Sequence, residues 1–130
     1  MVMQNNIFGE PLELCGLDPV TGYFRDGFTT TDESDFGSHT VCAVVSAEFL
    51  AHQKSVGNDL STPAPQFGFA GLKPGDRWAV CAPRWQQALE DGAACGVVLA
   101  ATNESALEYI SAQDLMAHSV DVPPDLSELT

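Results

Sequence analysis

The sequence predicts an α+β domain: a two-layer sandwich in which a small, mostly antiparallel sheet carries helices on one face. Three observations predict it. The chain has 130 residues, 45% of them apolar, which suits one domain with its own core. Runs with strand character and runs with helical stripes mix without the strict βαβ alternation of a parallel sheet. The longest apolar stretch, 96–101, falls far below the roughly 20 residues of a membrane span, so no membrane partner is expected. The domain is expected over residues 7–118, with 1–6 and 119–130 as loose ends.

The elements follow in chain order. Ile7 to Cys15 is apolar and extended, broken by Pro11. Asp18-Pro19-Val20-Thr21-Gly22 has turn composition. Tyr23 to Phe28 is expected as a short strand, and 29–38 as a polar loop. Thr40 to Val45 is β-rich and predicts a buried strand. Ser46 then predicts an N-cap for a helix over 47–56, with Gly57 as its stop. The stretch 58–72 is a long loop, and Pro74-Gly75-Asp76 a tight turn. Arg77 to Cys81 follows as a strand. Pro83 suits the first turn of a helix that runs to Asp91, with Trp85, Ala88 and Leu89 on one stripe. Val97 to Thr102 and Ala106 to Ile110 are expected as a third and a fourth strand. Ser111-x-x-Asp114 opens a last short helix. Trp78 and Trp85 are expected as core anchors.

Charge excludes several partners. The chain has 18 acidic residues against five basic ones, a net charge of −13. Such a surface repels phosphate backbones and anionic lipid, so nucleic-acid binding is not expected. The acids are spread along the whole chain rather than gathered in one block. That pattern suits a halophilic surface, screened at molar salt where the Debye length falls to roughly 3 Å. The first six residues lack the basic and apolar blocks of a secretory signal, so a cytoplasmic location is expected.

Cysteines stand at 15, 42, 81 and 95. With a cytoplasmic location they are expected as four reduced thiols, Cys42 and Cys81 in the core. His39-x-x-Cys42 with Cys15 and Cys81 could be written as a zinc set. Thr40-Val41 reads as strand, however, and positions i and i+3 of a strand face opposite sides, so no metal site is expected. His39 paired with Cys42 or with Cys15 is the nucleophilic alternative, without a flanking signature. No glycine-rich phosphate loop is present, and no cofactor is implied.

Six segments carry a family resemblance. They are Pro11-Leu12-x-x-Cys15; Thr21-Gly22-x-x-Arg25-Asp26-Gly27; Gly37-x-His39-Thr40-Val41-Cys42-Ala43; 57–63, Gly-Asn-Asp-Leu-Ser-Thr-Pro; 71–78, Gly-Leu-Lys-Pro-Gly-Asp-Arg-Trp; and Cys81-Ala82-x-Arg84-Trp85. In this order they resemble the bacterial family filed as domain of unknown function 2237, across residues 7–118. The resemblance implies a two-layer α/β fold and brings no activity, ligand or cofactor. The chain departs from the family pattern at Phe28-Thr29 and at Cys95, where the family often has a Cys pair and a Pro.

Within those segments lies a polar set: Arg25, Asp26, His39, Asn58, Asp59, Thr62 and Arg84. Structural ion pairs of arginine with carboxylates are one reading of it. The other is a cleft in which Arg25, Asp26, Asn58, Thr62 and Arg84 hold a small anionic ligand, with His39 or Asp59 as the acid/base candidate. The expectation is a ligand site near the 58–63 loop. The alternative is a non-catalytic interaction module, a homodimer joined through Phe67, Phe69 and Leu72.

Overall fold

The computed structural model describes residues 4–17, 20–67 and 69–121. The expected Asp18-Pro19 turn and the tail beyond Asp121 lie outside them. Strand β1 (His39–Val44) is central in a three-stranded sheet, flanked by β2 (Arg77–Cys81) and β3 (Gly96–Val97), both antiparallel to it. Alternation along β1 divides its side chains between two faces. Val41 and Ala43 enter the main core with Phe49, Trp85, Leu99 and Leu115. Cys42 enters a smaller cluster with Cys15, Val98 and Ala101. The fold class is α+β, as the sequence predicts.

The helices form where their end signals stand. In α1 (Ala47–Ser55) the Ser46 side chain accepts from Phe49 N, and Gly57 follows at φ +88°. In α2 (Ala82–Glu90) Pro83 lies in the first turn, where a missing N–H costs nothing, and Trp85 and Ala88 are fully buried. In α3 (Ala112–Ala117) the Ser111 hydroxyl accepts from Asp114 N. Trp85 and Phe49 are the largest fully buried side chains, and truncating either to Ala would cost about 3–5 kcal/mol.

Several expectations are corrected. Residues 23–28 form turns rather than a strand, with Gly22 at φ +103° and Arg25 at φ +56° reversing the chain. The third strand stops at Val97, because Asp121 accepts from Leu99 N and Ala100 N and Thr102 Oγ1 donates to Val98 O. These side-chain bonds hold Leu99–Ala101 as a 3-10 turn. The fourth strand is a 3-10 helix, Glu104–Glu108, started by Asn103 accepting from Ser105 N. Packing extends past 7–118. Asn6 is buried and its amide donates to Ala100 O, while Ser119 bridges to Val97.

The four-thiol expectation also fails. Cys15 and Cys42 form a disulfide with Cα atoms 5.7 Å apart, leaving Cys81 and Cys95 free. This removes the two sulfurs that the sequence reading offered to His39, and the four-ligand zinc set cannot close. Two residues of the expected dimer face are packed inward. Leu72 is buried and Phe69 packs on Trp78, their centroids 5.4 Å apart; the Phe67 side chain lies outside the described part.

Candidate active site

The site is built at the joint between β2 and α2. Cys81 ends the strand and occupies the N-cap position of α2. Its sulfur makes no capping bond, and the residue is half-buried. Across the ladder its partner is His39, the first residue of β1. The register slips between His39 and Val41, a bulge at the end of the strand. Bulges of this kind re-aim side chains and are over-represented beside active sites.

His39 is held from its other nitrogen. Its Nδ1 lies 2.6 Å from Asp35 Oδ1, and the Asp35 side chain is fully buried. Asp35 Oδ2 accepts from His39 N at 2.9 Å and from Thr31 Oγ1 at 3.0 Å. The carboxylate is thus fixed by three bonds and faces the imidazole in one orientation. Nδ1 is taken by this carboxylate, which leaves Nε2 outside that contact. The hydrogen bond to Cys81 raises the His39 pKa to about 9, against the opposing effect of burial and with further help from Asp35. His39 is therefore protonated at neutral pH. Tyr23 stacks on the ring at 5.7 Å and anchors its hydroxyl on Ser34 O.

The backbone around this group is shaped to admit it. A Cβ on Gly37 would meet Cys81 Sγ at 3.0 Å and His39 Cε1 at 3.1 Å, so the loop approaches the pair as closely as glycine allows. Ser38, between Gly37 and His39, sits in the left-handed region at φ +52°. Its carbonyl accepts from Thr40 N and from Ala82 N, tying the loop to the first residue of α2. Left-handed backbone at a non-glycine residue costs about 1–2 kcal/mol. Such strain clusters at functional sites.

Two recesses open near the pair. One, about 530 Å³, is lined by Gly37, Cys81, Pro83, Arg84 and Gln87. The other, about 290 Å³, is lined by Tyr23, Arg25, His39, Leu60 and Trp78, with Gly22 and Ala79. Arg84 and Arg25 thus lie on different recesses. Neither pairs with a carboxylate: among the described residues the ion pairs are His39–Asp35 and His52–Asp91. Arg84 Nη1 donates to Val56 O, and the Arg25 guanidinium lies 5.3 Å over the Trp78 ring. Trp78 is therefore a platform as well as a packing residue, while Trp85 is wholly core.

The rest of the predicted polar set is spent locally. Asp26 accepts from Phe28 N and Thr30 Oγ1. Asn58 Nδ2 donates to the buried Gln53. Asp59 accepts from Ser61 N and from the Thr62 amide and hydroxyl, and the Thr62 hydroxyl is the largest influence lowering its pKa to about 2. These four residues cap turns and loops. Asp35 and Gly37 escaped sequence reasoning as site residues, and Cys81 was read only as a core thiol or as one sulfur of a zinc set. A thiol at the start of a proline-marked helix was the available signal for Cys81, since helix N-termini favour a negative sulfur.

A family model described as "Uncharacterized protein conserved in bacteria (DUF2237)" matches residues 5–119. No curated protein matches the chain.

Proposed function

The chain belongs to the DUF2237 family of uncharacterised bacterial proteins, and from the geometry of its site we propose that it is a thiol-dependent enzyme. Cys81 is the nucleophile, His39 the acid and base, and Asp35 the group that orients His39. The observation that carries this is a free, half-exposed sulfur paired across the ladder with a histidine whose far nitrogen is fixed by a buried carboxylate.

The chemistry follows from the arrangement. The nucleophilic form of cysteine is the thiolate. His39 is already an imidazolium, so a Cys81 thiolate, its proton lost to solvent, lies opposite a positive ring and at the positive end of α2. The sulfur adds to an electrophilic carbon of the substrate, and His39 gives its proton to the departing group. Water gives a proton to the now neutral His39 and adds to the same carbon, the C–S bond breaks, and product, thiolate and imidazolium are restored. Asp35 holds Nδ1 throughout, so Nε2 carries the moving proton. Arg84 lines the recess beside the sulfur and has no carboxylate partner among the described residues, which supports a small substrate with an anionic group.

Iodoacetamide labelling with site assignment by mass spectrometry tests this reading. Cys81 should react at pH 7 at least ten times faster than cysteine in an unfolded peptide, and His39→Ala should remove that advantage. Labelling of Cys81 at the peptide rate would sink the proposal.

The setting is also part of the reading. The even spread of acids supports work in a salt-rich cytoplasm, and stability should then rise steeply from low to molar KCl. The Cys15–Cys42 disulfide is the observation against a reducing compartment. Counting free thiols after alkylation in the cell decides between them: two per chain favours an oxidising setting, four a reducing one.

A further inference from the structure

The smaller recess carries a separate inference. It lies on the Arg25 side of His39 and is walled by Tyr23, Arg25, Leu60 and Trp78. None of its lining residues is Asp or Glu, although the chain carries a net charge of −13. Both of its ionisable cation-formers, Arg25 and His39, face the same small volume.

Arg25 is held there at a cost. Its backbone is left-handed, at φ +56°. Its guanidinium is stacked on Trp78, and one nitrogen donates to Val20 O at 3.4 Å. The guanidinium has five N–H donors, so most remain for a ligand. The neighbouring carboxylate, Asp26, is occupied with Phe28 N and Thr30 Oγ1 rather than with Arg25. The loop is fixed to the sheet beneath: buried Thr21 Oγ1 accepts from Ala79 N of β2 at 2.7 Å. Gly22 makes the turn that brings Arg25 back over Trp78, and a Cβ there would meet Phe28 O at 2.3 Å.

A lone arginine on an acidic surface would ordinarily find a carboxylate. Among the described residues this one meets no carboxylate; it is stacked, strained, and shares its recess with a histidine. We propose that the Arg25–Trp78 recess is a binding site for an oxyanion, a carboxylate or phosphate group, held by a fork of Arg25 N–H bonds next to His39. It rests on the thiol-enzyme reading only for its purpose. There it would seat an anionic end of the substrate in a recess that His39 lines and Cys81 does not. The substrate class is then a small molecule with an electrophilic carbon next to an oxyanion. Arg25 is a specificity-determining residue and not part of the reacting group.

The test is titration of the whole protein with inorganic phosphate and, separately, acetate, followed by tryptophan fluorescence and by the His39 imidazole proton resonances. Sodium chloride at matched ionic strength is the control. The expected result is saturable binding at millimolar concentration with at least one of the two ions. Arg25→Gln should weaken it at least tenfold, and so should Arg25→Gly, which relaxes the backbone. Absence of saturation, or an Arg25→Gln variant that binds like the wild type, overturns the inference. These results are distinguishable from failure of the enzyme reading, which is read by Cys81 labelling. Slow labelling with intact phosphate binding removes the enzyme and keeps this site. Fast labelling without phosphate binding does the reverse.

Discussion

The two free cysteines, Cys81 and Cys95, lie in opposite surroundings. Cys95 is buried in the main core, and the adjoining Trp85 donates its indole N–H to the Cys95 carbonyl. Burial pushes its thiol up to about 12. Cys81 stands half-exposed at a strand–helix joint, facing a histidine that keeps its proton to about pH 9. The same side chain is a small apolar filler in one place and a candidate nucleophile in the other. Environment, rather than residue type, assigns the chemistry.

The largest expected effect is the contrast in reactivity. Raising the Cys95 pKa from 9.0 to about 12 lowers its thiolate fraction at neutral pH by about a thousandfold. Native protein should therefore label at Cys81 alone, with Cys95 slower by about 10³ or more until the chain unfolds. Comparable labelling of both would break the comparison.

The third sulfur environment comes next. The Cys15–Cys42 bridge closes a loop with a sequence separation of 27. Chain entropy for a loop of that length gives about 3–4 kcal/mol. The double variant Cys15→Ala/Cys42→Ala should lose about that much stability in urea titration. It should still label Cys81 within twofold of the wild-type rate. A joint loss of stability and labelling would mean that the two faces of β1 are coupled.

Asp35→Asn should act more locally. It removes a charged acceptor from three buried or half-buried bonds, for a cost of about 2 kcal/mol. It also frees His39 to turn, so Cys81 labelling should fall at least tenfold, a change that loss of stability alone would not produce. Thermal unfolding and labelling on the same sample separate the two effects.

The His39 proton gives a pH signature. Its folded pKa, about 9, lies above the ordinary 6.5. Its contribution to stability is complete below about pH 6.5 and disappears as pH rises through 9. The residue is partly exposed, so the effect is modest. Urea midpoints at pH 6, 8 and 10 should show wild type losing its advantage over His39→Asn as pH rises. A gap that widens with pH contradicts the Cys81–His39 pairing.

Local signals made much of the fold legible. Ser46, Gly57 and Ser111 mark helix ends through bonds within a few residues, Pro83 marks one through its missing N–H, and β1 and β2 follow from their composition. The stretch 96–110 was not legible. Its apolar content resembles strand, but distant contacts from Asp121 and Asn6, together with the local cap by Asn103, settle its backbone. The site divides the same way. His39, Arg25 and Arg84 stand out as rare bases or motif residues. Cys81 and Asp35 acquire meaning only from the register that sets residue 39 opposite residue 81. Reading His39 with Cys42 was natural because they are three residues apart, yet Cys42 faces Cys15 on the other side of the strand.

The smallest expected effect on stability is the sharpest test of the second recess. Arg25→Gly releases a left-handed backbone, a gain of about 1 kcal/mol. It also removes the stacking on Trp78, a loss of about 0.5–1 kcal/mol at an exposed site. The two offset each other, so the urea midpoint should barely move. A residue kept only for structure would show its removal in stability. Arg25 should show it in oxyanion binding instead, with Cys81 labelling by neutral iodoacetamide unchanged. Labelling by iodoacetate, which carries a carboxylate, should slow in the variant and not in the wild type, because a negative reagent then approaches His39 and Cys81 without the Arg25 charge. If the iodoacetate-to-iodoacetamide rate ratio is the same in both proteins, the Arg25 recess does not serve the thiol.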